Sequence, residues 1–483
     1  MMSQTVRYLL AKSPIRKWQL AICGWMYPLL NFFIYPIVKK HYAKALLQIP
    51  PGRQLFLISR LELGTSITQL HYASYWHHYR SPAVILLVSS RYRVVKAAAE
   101  SLCPEIPTIY FDSLWLRLVI FLCGHSRVHS CLYGKIYAHF RTDCPSALYI
   151  YEHTSGVFRY LTQRKNTYTS DYIQAIDPHL DSYKDTVSSD FLKAYINIRQ
   201  CYDYRLNLYV DYIDLYKEKP SKVPLLDLRK KSEQLKKALG FEGRYVVLNL
   251  NCKENYADPW LNRRQIQEPQ RYNGLIDSLI ERGYTVVVQG REEQPRFTSR
   301  KGLIDYPRSS VCSIESDFAL YGGAEFAVTT KSGTEYFGPI CDIPLLALEL
   351  TELCCMAQNK KSRFYPKPIR QKSSGALLSW EELLKKPCFF DIGPIAHDLD
   401  IEYMNMSEEE IMRALQEFVL LVEDPAVDWM QLSAAQRTYR EKLLPLHLDL
   451  FYIPGVPCNA YLASNSNSSS IKEAEACEYE RSQ

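Results

Sequence analysis

The sequence predicts an α/β protein built from two doubly wound units, and three observations carry that prediction. Short apolar runs of strand type alternate with helix-patterned stretches in two separate blocks, one over 54–151 and one over 245–348. Small-residue turns carry the chain from strand into helix at Gly64 and again at Ser332 and Gly333. Glycines follow the helical stretches at Gly240 and Gly283, the position just past a helix end that favours a left-handed residue. A chain of 483 residues has room for two domains, and 47% hydrophobic against 23% charged residues fits a globular protein with a substantial core.

Taken in order, residues 1–50 form an apolar and basic segment. Arg7, Lys12, Arg16 and Lys17 precede an uncharged apolar run over 18–38, and Lys39 and Lys40 follow it. The length would span a bilayer, but Pro28 and Pro36 interrupt the run, both flanks are basic, and its aromatic clusters suit an interface. We read it as a membrane-surface anchor, with a true span and buried accessory helices as the alternatives. The first α/β domain is expected over 51–224. Its strands fall at 54–59, 84–88, 108–111 and 147–151, with helices at 67–79, 92–102 and 114–122. Apolar residues three and four apart over 191–216 predict a long amphipathic helix inserted in that domain. The polar, proline-punctuated stretch 217–224 is the connection.

The second α/β domain is expected over 225–390. Helices at 230–239, 272–282, 316–322 and 334–341 alternate with strands at 245–250, 285–289, 303–304, 326–329 and 344–348. Beyond it, 391–463 reads as C-terminal helices. One runs over 407–422 and opens on Ser407 with Glu410 three residues on, the capping-box pattern. Another covers 434–443. The serine- and asparagine-rich tail 464–483 cannot bury enough surface to fold and is expected to be disordered.

Charge and cysteine usage narrow the function classes. A formal net charge of +6 without a focused basic stripe is not a nucleic-acid signature. The 14 cysteines are scattered with no C-x-x-C pair, so neither a zinc site nor a disulfide framework is visible and a reducing compartment is expected. There is no P-loop and no internal repeat. What stands out is the run from Glu325 to Glu335, a buried strand passing through Thr330, Lys331, Ser332 and Gly333 into a helix start. Such a turn presents unpaired backbone N–H groups to a phosphate.

From the second block onward the chain resembles a set of bacterial glycosyltransferases with a GT-B-like fold, associated with surface polysaccharide synthesis. The resemblance rests on pieces that occur in the family's order: Gly283-Tyr284-Thr285-Val286-Val287-Val288-Gln289-Gly290, Gly302-Leu303-Ile304-Asp305-Tyr306, Glu315-Ser316-Asp317, and Ala324-Glu325-Phe326 leading to Ser332-Gly333. Cys341-Asp342-Ile343-Pro344, Tyr365-Pro366-Lys367, Leu378-Ser379-Trp380-Glu381-Glu382 and Met406-Ser407-Glu408-Glu409-Glu410-Ile411 continue it. Two departures are visible. Asn249-Leu250-Asn251-Cys252-Lys253-Glu254-Asn255 stands where the family carries a His-Val-Arg-type segment, and Val288-Gln289-Gly290-Arg291 where it carries Arg-Met-Gly.

The resemblance implies two Rossmann-like doubly wound domains facing a cleft, with helical N-terminal and C-terminal extensions. It implies a metal-independent sugar transfer from a nucleotide-sugar donor to a polysaccharide or lipid-linked acceptor, with no cofactor beyond the donor as co-substrate. Donor binding falls to Ser332, Gly333 and Thr334 through their N–H groups, and to Lys253, Arg291 and Lys331 in place of the missing basic contacts. Glu335 either accepts from a ribose diol or satisfies the helix end, and Arg291 is otherwise a solvated loop arginine. On the acceptor side, Arg60 and Gly64 share a turn with Glu62, the first candidate for general base, ahead of Glu152 and His153. A cytoplasmic protein peripheral to the inner face of the membrane is the expected setting. A nucleotide-sugar 2-epimerase and a non-catalytic sugar- or nucleotide-binding scaffold of the same fold are the competing readings.

Overall fold

The computed structural model describes residues 54–58, 63–80, 82–88, 93–111, 223–252, 259–291, 294–351, 359, 361–383, 400–443 and 455–466. The expected apolar N-terminal run, the elements placed over 114–122, 147–151 and 191–216, and residues 467–483 of the tail lie outside them. The tail expected to be disordered from 464 is ordered at its start, where Ser464 closes the helix Asn459–Ser464 and the buried Ser466 donates to Glu381 Oε1 at 2.7 Å. The architecture is α/β, with parallel sheets flanked by helices, and the chain folds as two compact units.

The first unit carries a three-stranded parallel sheet in the order β1 (Gln54–Ile58), β2 (Ala83–Val88), β3 (Thr108–Phe111). Helix α1 (Leu63–Tyr79) follows β1 and α2 (Arg93–Leu102) follows β2. The reason α2 forms is legible in its spacing: Val95, Ala98, Ala99 and Leu102 lie on one face and are buried. Helix α1 buries Ile67, Leu70, Ala73 and Tyr75, together with His71, whose pKa burial pushes down to about 3, so its ring stays neutral. Gly64 was expected in the turn before this helix. It lies instead in the helix's first turn, because Leu63, Thr65 and Ser66 are already helical.

The second unit is organised on seven parallel strands. They are β4 (Tyr245–Asn249), β5 (Thr285–Val288), β6 (Leu303–Asp305), β7 (Phe326–Thr330), β8 (Leu345–Leu350), β9 (Ser362–Pro366) and β12 (Val456–Pro457). Their spatial order is β12-β9-β8-β7-β4-β5-β6. The chain starts at β4, steps outward to β5 and β6, then returns to the other side of β4 for β7, β8 and β9. That is the doubly wound order, and its reversal falls between β4 and β7. Strands β4, β7, β8 and β9 are buried at every position, as expected of a parallel sheet covered on both faces.

Helices α3 (Leu225–Leu239), α4 (Asn273–Glu281) and α5 (Ile314–Gly323) belong to this unit, with α6 (Phe337–Ile340), α7 (Trp380–Leu383), α8 (Glu408–Glu423), α9 (Ala434–Leu443) and α10 (Asn459–Ser464). Gly240 ends α3 in the left-handed region at φ 74°, and its N–H reaches back to the carbonyls of Lys236 and Lys237. Helix α3 packs closely on α5 because Gly322 and Gly323 lack side chains. A Cβ on Gly322 would stand 2.5 Å from Leu228 Cβ, and one on Gly323 would overlap Ser232. In that seam the Tyr245 hydroxyl donates to the Leu320 carbonyl at 2.6 Å and meets Ser232 Oγ at 2.7 Å.

Three expectations need correction. The segment 391–463 is not helical alone: Ile401–Tyr403 (β11) pairs antiparallel with Ile369–Gln371 (β10), and β12 extends the main sheet beside β9. The helix expected over 334–341 is broken into a tight 3-10 turn, Gly333–Tyr336, and the short α6. Pro339 lacks the N–H that a continuous helix would need there. Strand β9 was not anticipated at all. Its Ser362, Arg363 and Tyr365 break any apolar run, yet Arg363 is buried, lying over the Trp429 ring at 5.3 Å.

Candidate functional site

In an open doubly wound sheet, ligands bind beyond the C-terminal ends of the strands, where the strand order reverses. Here the reversal falls between β4 and β7, and polar side chains rooted on buried strands gather beyond their C-terminal ends.

Asn249, the last residue of β4, is the hub. Its Nδ2 donates to the Gln289 carbonyl at 3.0 Å and to Gln289 Oε1 at 2.6 Å, so the amide orientation is fixed by a main-chain acceptor. Its Oδ1 faces the turn after β7, where Ser332 Oγ lies at 2.9 Å and Thr334 Oγ1 at 2.7 Å. The two hydroxyls are themselves 2.7 Å apart. One turn of chain further, Asn251 N–H donates to Thr330 Oγ1 at 2.6 Å and Asn251 Nδ2 to the Lys331 carbonyl at 2.7 Å. The turn is thus held rigidly against the end of β4. Ser332 itself is extended, at φ −153° and ψ 171°, and its side chain makes no cap bond to the 3-10 turn that follows. Among the described residues, the backbone N–H groups of Ser332, Gly333 and Thr334 have no acceptor within the protein.

Charges near the turn are paired rather than free. Lys331 Nζ and Glu335 Oε1 are 2.6 Å apart, and both side chains are buried. Arg291, after β5, forks onto Asp317 of α5 with N–O distances of 2.5 and 3.3 Å, and its Nη1 also donates to the Gly290 carbonyl at 2.7 Å. Arg291 is half-exposed while Asp317 is buried. Burial raises the Asp317 carboxyl above its ordinary value, against hydrogen bonds from Arg291, Gln289 and Tyr306 that hold it down. Through Gln289 this pair connects with Asn249, so one polar network runs from Arg291 to the Ser332 turn. Gly290 has φ 147°, and the Gln294 side chain fills the place its Cβ would take. From there Gln294 Nε2 donates to the Leu250 carbonyl at 2.6 Å.

A second charged group sits at the C-terminal ends of β8 and β9, with Glu349 the penultimate residue of β8 and Lys367 just past β9. Glu349 has a left-handed backbone, φ 53°, at the irregularity where the pairing of β8 with β9 shifts register. Its carboxylate meets Lys367 Nζ at 3.2 Å and accepts from the Tyr272 hydroxyl at 3.2 Å. Lys367 aims its best-aligned bonds at the Gln265 carbonyl, 2.9 Å, and Asn405 Oδ1, 2.8 Å. One ammonium therefore ties β8 and β9 to the loop after β4 and to the segment after β11. Burial raises the Glu349 pKa and lowers that of Lys367, each opposed by the partner's charge. The Cys252 thiol is pushed up to about 12, first by burial and then by the Glu349 charge.

Of the residues singled out from sequence, the structure brings Lys331, Ser332, Gly333, Thr334 and Glu335 together at the turn and places Arg291 at the far end of the same network. Lys253, Arg60, Glu62, Glu152 and His153 lie outside the described residues. Sequence reasoning passed over Asn249, Gln289 and Glu349, and gave Asp317 and Lys367 no role. The signal was present for two of them. Asn249 interrupts Tyr-Val-Val-Leu-Asn-Leu and Glu349 interrupts Leu-Leu-Ala-Leu-Glu-Leu, polar groups inside otherwise apolar strands. No cluster of His, Cys, Asp and Glu suited to a metal ion occurs among the described residues.

No family model matches the sequence, and no curated protein matches it. Among solved structures, the chain is similar to the glycosyl transferase family 9 protein from Veillonella parvula, with 13% identity, 76% of this chain and 96% of that chain covered, and a TM-score of 0.37. It is also similar to the ADP-heptose lps heptosyltransferase II of E. coli, with 11% identity, 77% and 100% covered, and a TM-score of 0.37. The UDP-GlcNAc 2-epimerase from Methanocaldococcus jannaschii gives 9% identity, 75% and 98% covered, and a TM-score of 0.29. At such identities and TM-scores these likenesses say nothing further about this chain. The fold and the site define a doubly wound α/β protein whose switch point carries a hydrogen-bonded polar network.

Proposed function

We propose that the switch point between β4 and β7 takes the diphosphate of a nucleotide-activated sugar, and that the chain is a metal-independent glycosyltransferase acting on a polysaccharide or lipid-linked acceptor. The observation that supports this reading is the strand reversal between β4 and β7, next to which the turn from Lys331 to Thr334 follows β7. Open parallel sheets bind ligands outside the carboxyl ends of their strands at such a switch point. Among the described residues the backbone N–H groups of Ser332, Gly333 and Thr334 have no acceptor, and they can stabilise the charge that develops on a departing nucleoside diphosphate. In the transfer, an acceptor hydroxyl forms a bond to the anomeric carbon, the bond from that carbon to the phosphate oxygen breaks, and the hydroxyl proton passes to a base. Glu62, Glu152 and His153 are the proposed sources of that base. The setting proposed is the cytoplasmic side of a membrane, through residues 1–50.

Calorimetry against UDP-, GDP-, ADP- and CMP-sugars tests the reading. Binding of one nucleotide class is expected, abolished by Ser332→Trp, which crowds the turn. A protein that binds none of them is not a nucleotide-sugar enzyme. Turnover without any acceptor, giving a 2-epimer, would replace transfer by epimerisation.

A further inference from the structure

The hydrogen-bond arithmetic at the turn says what kind of group its side chains can recognise. Asn249 Oδ1 is an acceptor only, because Nδ2 is committed to the Gln289 carbonyl. Ser332 and Thr334 bring two hydroxyl protons to three short contacts: each to Oδ1, at 2.9 and 2.7 Å, and one to the other at 2.7 Å. Both protons can go to Oδ1, or one hydroxyl can donate to the other and that one to Oδ1. In every arrangement both protons are spent inside the protein. The buried Tyr321 hydroxyl also faces Thr334. With both protons on Oδ1, each half-buried hydroxyl oxygen keeps a lone pair even when Tyr321 donates to Thr334, and neither has a proton left for a ligand.

A phosphate oxygen offers lone pairs and would meet lone pairs there. A hydroxyl group offers a proton. Resting on the nucleotide-sugar reading above, we infer that Ser332 and Thr334 form a hydrogen-bond-accepting subsite for a hydroxyl of the bound nucleotide sugar, and that only backbone N–H groups serve the diphosphate. Asn249 is the positioning residue, since its carbonyl draws both protons inward. The hydroxyl comes from one of two sources, the ribose or the transferred sugar.

The test uses full-length protein with inorganic pyrophosphate, UDP, UDP-glucose and the matching ADP compounds, by calorimetry or by competition. For Ser332→Ala, pyrophosphate affinity is expected to stay within twofold while a hydroxyl-bearing ligand loses about three- to tenfold. Loss shared by UDP and UDP-glucose assigns the subsite to the ribose; loss confined to UDP-glucose assigns it to the sugar. Ser332→Thr, which keeps the acceptor oxygen, should restore most of the affinity. Asn249→Leu frees both protons and is expected to raise pyrophosphate affinity relative to UDP-glucose, a change that simple loosening of the turn would not give. Equal loss of pyrophosphate and nucleotide sugar in Ser332→Ala overturns the inference while leaving nucleotide binding intact. Wild-type protein that binds neither compound overturns the functional reading and this inference together.

Discussion

Replacing Lys367 by Met removes one ammonium and keeps most of the side-chain volume. Lys367 and Glu349 have side-chain exposures of 3% and 1%, with Nζ and Oε2 3.2 Å apart. The variant leaves the Glu349 carboxylate buried with the Tyr272 hydroxyl as its hydrogen-bond donor and the weaker pull of the Arg271 charge, and strands the Gln265 carbonyl and Asn405 Oδ1. Breaking a buried pair from one side costs about 3–5 kcal/mol, because the remaining charge is desolvated and unpaired. The sign of its pH dependence follows. Burial holds the Glu349 folded pKa above its unfolded value of 4.5, and losing Lys367 removes the largest opposing effect. A carboxyl with a raised folded pKa binds its proton more tightly in the native state, so stability falls as pH rises through the window above 4.5. The gap between wild type and variant should therefore be smallest near the bottom of that window. It should widen by up to about 1.4 kcal/mol per pH unit until the variant's folded pKa is passed. Urea unfolding followed by far-UV circular dichroism at pH 5 and pH 8 measures both points, with Lys367→Met/Glu349→Leu as the double variant. That double variant should recover much of the loss, since a buried pair is often replaceable by apolar groups. A loss below about 1 kcal/mol at pH 8, or an equal gap at both pH values, would refute the reasoning.

Arg291→Met should cost less, about 1–2 kcal/mol, because the arginine is 42% exposed and its charge is screened by water. Asp317 keeps Gln289 and Tyr306 as donors, and its folded pKa is already raised, so this loss also shrinks toward acid pH, as thermal melts at two pH values would show. Gly323→Ala pushes a methyl into Ser232 at the seam of α3 and α5 and should destabilise by about 1–3 kcal/mol; an unchanged melting temperature would show that the seam can yield. In Ser407→Ala, helix α8 loses the side-chain acceptor for Glu410 N–H, now at 3.2 Å, and the expected cost in chemical denaturation is about 1 kcal/mol.

The second unit was more legible than its site. Strands β4, β5, β7 and β8 are short apolar runs, and the glycine past α3 and the capping box of α8 are local devices that need no tertiary partner. Strand β9 was invisible because its burial depends on others: Arg363 is covered by Trp429, 66 residues on, and lies in the field of Glu417. Strands β10, β11 and β12 are two or three residues long, too short for any period to show. At the site, the Ser332 turn was visible as small residues after a strand. Its partner Asn249 stands 83 residues earlier, and no local pattern links the two. Lys331 and Arg291 read as rim cations in sequence, and the structure pairs each with a carboxylate, Glu335 and Asp317.

By itself, then, the sequence determined the alternation of strand and helix and several of its stops, because burial period, capping and glycine backbone freedom act within a few residues. Which strands became neighbours was decided by the tertiary structure. The return of the chain from β6 to lie beside β4 made the switch point. The same step set Asn249, at the end of one strand, against Ser332 and Thr334 in the turn after another, where its amide oxygen accepts from both hydroxyls.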